Sequence, residues 1–276
     1  MESFFGLGGR IAALRQARGY TQEELGALLN VTSQAVSKWE TGKALPDIAL
    51  LPPLAQALRV SIDRLLLGRD GAQARGPYDE AYAQAAFYWG QEPSALAKET
   101  AALLMAAQRP AARVLDIGSG EGRDAVYFAR CGFRVDALEI SAPGVEKIRR
   151  FSAAAKCDVN VLHADMIGFV LPDMYDLIYS MGSLQFLPPD KREEAFASYK
   201  EHTLPGGFNA HLVFVEKPFV APAPDWEREE SFYRSGELTG HYWDWEILAC
   251  GEQLLDCCSS GRPHRHAVCT LLVRKT

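Results

Sequence analysis

No stretch of the chain stays apolar for the roughly 18 residues that a membrane-spanning helix needs, because charged, Pro or Gly residues interrupt every hydrophobic run. The opening residues, MESFFGLGGR, lack the basic-then-apolar layout of a secretory leader. Six cysteines, at 131, 157, 250, 257, 258 and 269, fall into no paired CxxC spacing, so no zinc ribbon is indicated. These absences lead us to expect a cytoplasmic protein with reduced thiols, no membrane association and no structural metal. No internal repeat occurs either, which removes solenoids and propellers. Positive charge is scarce in most of the chain: residues 1–70 carry a net +1 and the remainder a net −7. An acidic body repels a polyphosphate partner, so any nucleic-acid contact is confined to the N-terminal piece.

Apolar side chains make up 48% of the 276 residues and aromatics 10%, enough for more than one core. The Gly-rich, anchor-poor run GRDGAQARGP (68–77) reads as a linker between domains at 1–67 and 78–276. Before it the apolar period is helical: Ile11 with Leu14, then Leu25, Leu28 and Leu29, then Val36 with Trp39, then Leu54, Leu58 and Leu65. After it, two helical stretches near 79–90 and 93–108 precede strand-like runs at 112–117, 133–140, 159–163, 174–180 and 208–215. Helical patterns separate most of these runs, which predicts an α/β doubly wound, Rossmann-like parallel sheet. Two longer strand-like runs in 241–273 predict an antiparallel C-terminal edge. The head is predicted to be all-α.

In the head, Thr21 and Glu24 form a capping box, and ELGALLN continues as a short helix. After a tight connection, SQAVSKWETG gives a second helix closed by Gly42. Pro52 and Pro53 fit the first turn of a later helix, where missing N–H groups have no helical partner. Two short helices in this arrangement describe a helix-turn-helix. Over LRQARGYTQEELGALLNVTSQAVSKWETGKALP the chain resembles the phage-repressor-like (XRE-type) helix-turn-helix family. That resemblance implies that Ser33, Gln34, Ser37 and Lys38 face the DNA major groove, while Gln22 and Lys43 hold phosphates. The module's low net charge implies a homodimer on a two-fold DNA operator.

The stretch VLDIGSGEGRD (114–124) runs from a strand into a glycine loop. It lacks the GK[ST] of a phosphate-binding loop, and its Gly118-x-Gly120-x-Gly122 spacing departs from the dinucleotide G-x-G-x-x-G. Asp116 before the loop and Glu121 within it would repel a pyrophosphate. The loop, with Ser119 and Arg123, therefore suits a cationic nucleoside without phosphate, and S-adenosylmethionine fits. Glu139, ending the second strand beside Ile140, is placed to accept both ribose hydroxyls. Asp165 and Met166 close the third strand at the expected adenine position. The fourth strand carries Ser180, and YDLIYSMGSLQFLPP continues into a loop expected to face the acceptor; LPGGF (204–208) reads as the turn before the fifth strand.

With that series in order, residues 110–275 resemble the class I S-adenosylmethionine-dependent methyltransferases. Within them, VLDIGSGEGRDAVYFARCGFRVDALEIS, FYRSGELTGHYWDWEILACGE and AVCTLLVRK resemble the tellurite-resistance methyltransferase family. The resemblance implies a soft, small methyl acceptor such as a metalloid oxyanion. The loop SMGSLQ lacks the Asn/Asp-Pro-Pro-aromatic motif of base-amino methyltransferases, and no Pro-Cys nucleophile exists for cytosine carbon. No catalytic base is assigned. Tyr88, Trp89, Met181, His264 and His266 are the acceptor-site candidates. Most of the other late aromatics, Trp226, Phe232, Tyr233, Tyr242, Trp243 and Trp245, read as core or lid packing. Where that family has a His-Arg pair early in the last hairpin, this chain has LLDCCSSG, followed by His264-Arg265-His266. Cys257, Cys258, His264 and His266 read either as soft ligands or as ordinary strand residues. Three functions stay open: an enzyme that regulates its own expression, a regulator that senses the cofactor or a toxic ligand with little turnover, and a small-molecule or peptide methyltransferase whose head only dimerises it.

Overall fold

A computed structural model describes residues 7–60, 62–67, 76–221, 230–258 and 262–276. The chain divides into two compact units, Met1–Gln73 and Ala74–Thr276.

The first unit holds α1 (Leu7–Ala17), α2 (Gln22–Leu28), α3 (Ser33–Glu40), α4 (Leu51–Leu58) and α5 (Ile62–Leu67). Thr21 accepts from the Glu24 backbone N–H while Glu24 reaches back to the Thr21 N–H, the reciprocal pairing the sequence predicts. Thr32 caps α3 in the same way through the Ala35 N–H. Gly42, two residues past the end of α3 and next to its C-cap Thr41, takes a positive φ of 70°. Pro52 and Pro53 lie in the first turn of α4. Ile11, Leu25, Val36, Trp39, Leu54, Leu58 and Leu65 form one buried core. Leu28 departs from the predicted stripe and is 58% exposed, because Leu25 and Leu29, four apart, already fill the inner face of α2.

In the second unit seven strands make one sheet in the order β3-β2-β1-β4-β5-β7-β6. They are β1 (Arg113–Ile117), β2 (Arg134–Glu139), β3 (Val159–His163), β4 (Tyr175–Met181), β5 (Thr203–Phe214), β6 (Glu246–Cys257) and β7 (His264–Arg274). The first five pair in parallel, and β7 and β6 close the edge antiparallel. Four helices accompany the strands: α7 (Ala95–Ala106), α8 (Arg123–Arg130), α9 (Ala142–Ala154) and α10 (Pro189–Glu201). Apolar clusters fill both faces, one built on Val114, Ala137 and Tyr179, the other on Leu115, Ile178 and Val213.

Two expectations about elements are corrected. The predicted helix at 79–90 shrinks to α6 (Asp79–Tyr82). Phe87 and Trp89 are held instead by tertiary contacts, Phe87 edge-on to Phe151 and the Trp89 indole donating to the Tyr82 hydroxyl. LPGGF is not a turn before β5 but an irregularity inside it: pairing with β4 jumps from Tyr175–Thr203 to Leu177–Phe208. A last short helix, α11 (Glu237–Gly240), precedes the terminal hairpin.

Candidate functional site

In an open parallel sheet the chain reverses its winding between β1 and β4, and the crevice beyond the strand ends at that point is where ligands bind. A cavity of about 420 Å³ opens there. Its floor is the β1–α8 loop. Gly118 and Ser119 donate their N–H groups to the Leu138 carbonyl, which ties the loop to β2. Gly118, Gly120 and Gly122 all have positive φ. At Gly120 a Cβ would stand 2.8 Å from the Tyr82 hydroxyl, so glycine is needed for space as well as for conformation.

Asp116, one residue before the end of β1, lies at the cavity wall with 2% exposure. Its Oδ2 is buried and has no hydrogen-bond partner. Burial, then the nearby Asp124 and Glu139, raise its pKa well above the usual carboxylate range. Glu139 is anchored with its oxygens fixed: Gly120 N–H donates to Oε2 at 2.7 Å and Ser141 N–H to Oε1 at 2.8 Å. Burial nevertheless pushes its pKa up to about 7. Ile140, Asp165 and Met166 line the same cavity, and Asp165 Oδ1 is fixed by the Ile167 N–H at 2.9 Å.

The cavity is roofed by aromatics, of which Trp89 was expected from sequence and Tyr78, Tyr82 and Phe186 were not. Tyr78 stacks on Tyr82 and meets Trp89 and Phe186 edge-on, and all four line the space. Gly76 and Pro77, assigned to the linker, also line it, so the functional unit begins before residue 78. Residues 68–75 of the expected linker, and Trp226, lie outside the described residues. Glu121 holds this roof down: Lys147 Nζ is 2.5 Å from Oε1, and the Trp89 N–H donates to Oε2. Lys147 also bonds the Ala86 carbonyl, and Arg123 Nη1 the Trp89 carbonyl. The charge of Glu121, read from sequence as repelling phosphate, is therefore paired with Lys147. At Asp116 it is the buried Oδ2 that has no hydrogen-bond partner among the described residues.

Ser180 is a correction. It is fully buried and bonds His211 Nδ1 at 2.8 Å, while His211 Nε2 meets the Tyr242 hydroxyl at 2.9 Å. Burial, then His241, lowers the His211 pKa to about 3. Strand alternation sends Ser180 and Met181 to opposite faces, and only Met181 reaches the cavity. Ser183, whose hydroxyl donates to the Ile117 carbonyl at 2.6 Å, takes the place at the cavity wall. The stretch SMGSLQ was legible as the facing loop, but which of its two serines points inward was not.

At the far end the wall is Met181, Leu212, Phe214, Leu255, Cys257 and His266. Of the acceptor candidates, Trp89, Met181 and His266 line the cavity. Tyr88 does not; it packs on Tyr78 and Trp89 behind the roof. His264 stands one step back, its Nε2 2.9 Å from His266 Nε2. Cys258 is exposed at the end of the hairpin strand. Phe232 packs against Phe214, Tyr233 and Tyr242 are core residues, and Trp243 is 82% exposed.

On the head, Ser33, Gln34, Lys38 and Lys43 are exposed and Ser37 half-buried, so α3 presents the expected polar side. Gln22 is half-buried and donates its amide to Glu40 Oε2 at 2.7 Å, beside the paired Arg15–Glu40. An amide carries a second N–H, and a phosphate contact is available only through that one.

A buried carboxyl oxygen with no partner among the described residues, a fixed carboxylate and an apolar-walled cavity fit a cationic nucleoside: the residues present suit S-adenosylmethionine. Comparison with known proteins agrees. Residues 114–207 match the Methyltransferase domain family and residues 11–65 the Helix-turn-helix family. The chain is 27% identical over 166 residues to "Hemagglutinin 1" of Eikenella corrodens, covering 59% of this chain and 54% of that protein. It is 26% identical over 168 residues to the "Probable S-adenosyl-L-methionine-dependent methyltransferase TehB" of Haemophilus influenzae, covering 59% and 57%. The chain thus spans only a little over half the length of these relatives. The crystal structure of TehB from Haemophilus influenzae has the same fold, with a TM-score of 0.59 at 21% identity over 72% of this chain and 66% of that one. The head is 39% identical over 64 residues to the HTH-type regulator y4dJ of Sinorhizobium fredii, covering 23% of this chain and 83% of that protein. The N-terminal unit belongs to the helix-turn-helix family, and the larger unit carries a Methyltransferase domain and is similar to S-adenosylmethionine-dependent methyltransferases.

Proposed function

We propose that the larger unit methylates a small, soft acceptor, a metalloid oxyanion such as tellurite or another small toxic molecule, and that the head binds a DNA operator for transcriptional control, as a homodimer. The observation that carries the catalytic half is Asp116: a buried, unpartnered carboxylate oxygen facing the cavity. Burying such a group without a partner costs free energy that a cationic ligand restores. S-adenosylmethionine would supply a methyl group on positively charged sulfur, to be transferred to an acceptor lone pair with the neutral thioether S-adenosylhomocysteine as the leaving group.

The chain's own residues then have separate tasks. Asp116 accepts from the α-ammonium. Glu139 receives the ribose hydroxyls on oxygens already oriented by Gly120 and Ser141. Asp165 and Met166 hold the adenine. Tyr78, Tyr82 and Trp89 cover the cavity and exclude water. Met181, Leu212 and Phe214 give the acceptor end a dry wall, where an anionic nucleophile is less solvated. Positioning therefore does most of the work, and no strong base is required. On the head, Gln34 and Lys38 lie exposed on α3, the amide and ammonium available to base edges.

The test is release of S-adenosylhomocysteine by the intact protein across a panel of soft and ordinary acceptors, tellurite, thiols and catechols among them. Turnover with a soft acceptor supports the reading. Binding of the cofactor with no turnover on any of them would instead make the unit a sensor.

A further inference from the structure

The sequence reading assigns no metal to this chain, but the terminal hairpin builds a cluster that it left undecided. Cys257 pairs directly with His264 across β6 and β7, and His266 is two residues further along β7. Directly paired residues, and residues two apart on one strand, share a face of the sheet, so backbone register alone brings three ligand types together. Their ligand atoms all lie within 4.8 Å of one another. Tetrahedral zinc, with bonds of roughly 2.0–2.3 Å, spaces its ligands by about 3.3–3.7 Å. The Nε2 atoms of the two histidines, 2.9 Å apart, need to open only slightly to reach that spacing.

A tautomer argument points the same way. His264 Nδ1 lies 2.8 Å from the Arg262 carbonyl, which can only accept, so Nδ1 carries the proton; Nε2 of the neutral ring then accepts from His266 Nε2–H, and an ion between them would take that proton's place. Metal-bound histidines are held by this kind of carbonyl contact on the far nitrogen. His266 is fixed as well, 8% exposed and packed on the Phe214 ring.

We propose that Cys257, His264 and His266 bind a borderline-soft divalent transition-metal ion, of the zinc type, at the acceptor end of the cavity. A Cys-His-His set fills three positions of a tetrahedron and leaves the fourth for a small ligand, the pattern of reactive rather than structural zinc. Cys257 and His266 line the cavity, so that position opens toward the space shared with Asp116 and Glu139. The ion would anchor an anionic acceptor there and keep it deprotonated. This use of the ion rests on the methyl-transfer reading, whereas binding of the ion does not.

The experiment titrates the reduced, full-length protein with Co²⁺ in the absence of cofactor. The expected result is saturation at one equivalent, with intense tetrahedral visible bands and a thiolate-to-cobalt charge-transfer band, both bleached by Zn²⁺. Cys257→Ser should abolish the charge-transfer band, and His264→Ala or His266→Ala should weaken binding by at least ~10- to 100-fold, the range seen when even an outer-sphere partner is lost. Cys258→Ser should leave the spectrum unchanged. Thermal melts of each variant verify folding, and His266→Gln provides a second, size-conserving probe. No charge-transfer band in the wild type, or one that survives Cys257→Ser, overturns the site. Normal cobalt binding by a protein that fails to bind S-adenosylmethionine would refute the methyl-transfer reading and leave the metal site standing.

Discussion

Glu139 shows how one residue links burial to ligand chemistry. Its carboxyl, pushed up to about 7 by burial, is largely protonated at pH 6 and ionised at pH 8. Only the ionised form offers two full acceptors to ribose hydroxyls. Affinity for S-adenosylmethionine should therefore fall as pH drops below 7, by up to about tenfold per unit. The upward shift at Asp116 acts in the same direction. Stability of the ligand-free protein has the opposite sign. An acid with a raised folded pKa favours folding most below its unfolded pKa, and that contribution is lost as pH rises through 7. Calorimetry between pH 6 and 8 checks the first point, and melts over the same range the second; Glu139→Gln should flatten both trends. Gly120→Ala provides a steric test at the same wall. A methyl 2.8 Å from the Tyr82 hydroxyl, at a φ of 58°, should displace the roof and weaken cofactor binding at least roughly tenfold. Wild-type affinity in that variant would show that Tyr82 does not close the site.

Among the elements, α3 is held to the head by a charge cluster as well as by Val36 and Trp39. Arg15 clasps Glu40 at 2.6 and 3.0 Å, Gln22 adds 2.7 Å, and both partners of the ion pair are nearly buried. Burial raises the Glu40 pKa, but the Arg15 and Gln22 hydrogen bonds prevail and hold it below the usual value. Glu40→Ala leaves the half-buried Arg15 with only the Tyr20 carbonyl as a partner and should cost about 1.5–3 kcal/mol, read as an earlier melting transition of the head. The stabilisation from Glu40 should persist above its unfolded pKa and fade as the solution is acidified. A melt unchanged by the substitution would mean that the core alone holds α3. Regular elements of this kind were the most legible part of the sequence. The box of Thr21 and Glu24, Gly42 after α3 and the strand that carries Asp116 are local signals with local causes. The stretch 83–90 was misread because its structure comes from distant partners, Phe151, Glu121 and Lys147, that no local period encodes. The bulge within β5 was hidden for a related reason: two glycines that suggest a turn serve equally well inside a strand.

For the whole molecule, the sequence located one side of the cavity better than the other. Asp116, Glu139, Asp165 and Met166 follow strands in register, so counting along the chain finds them. Tyr78, Tyr82 and Phe186 come from segments whose position depends on tertiary packing, and counting does not. Ser180 was misplaced by one residue of alternation, enough in a strand to reach the opposite face. The two units should carry separable activities. Gln34→Ala with Lys38→Ala should remove operator binding, read by electrophoretic shift on the promoter of its own gene, and leave S-adenosylhomocysteine release within about twofold, as expected for exposed residues. Loss of turnover in that double variant would contradict separate sites. The central claim is that Asp116 marks a site for a cationic nucleoside, and calorimetric titration of the intact protein with S-adenosylmethionine tests it directly, with Asp116→Ala as the comparison. The account predicts one site per chain in the wild type and an affinity at least ~100-fold weaker in the variant, in line with about 3 kcal/mol for a charge-assisted contact. Equal affinity in the two proteins, or no binding by the wild type, would contradict it.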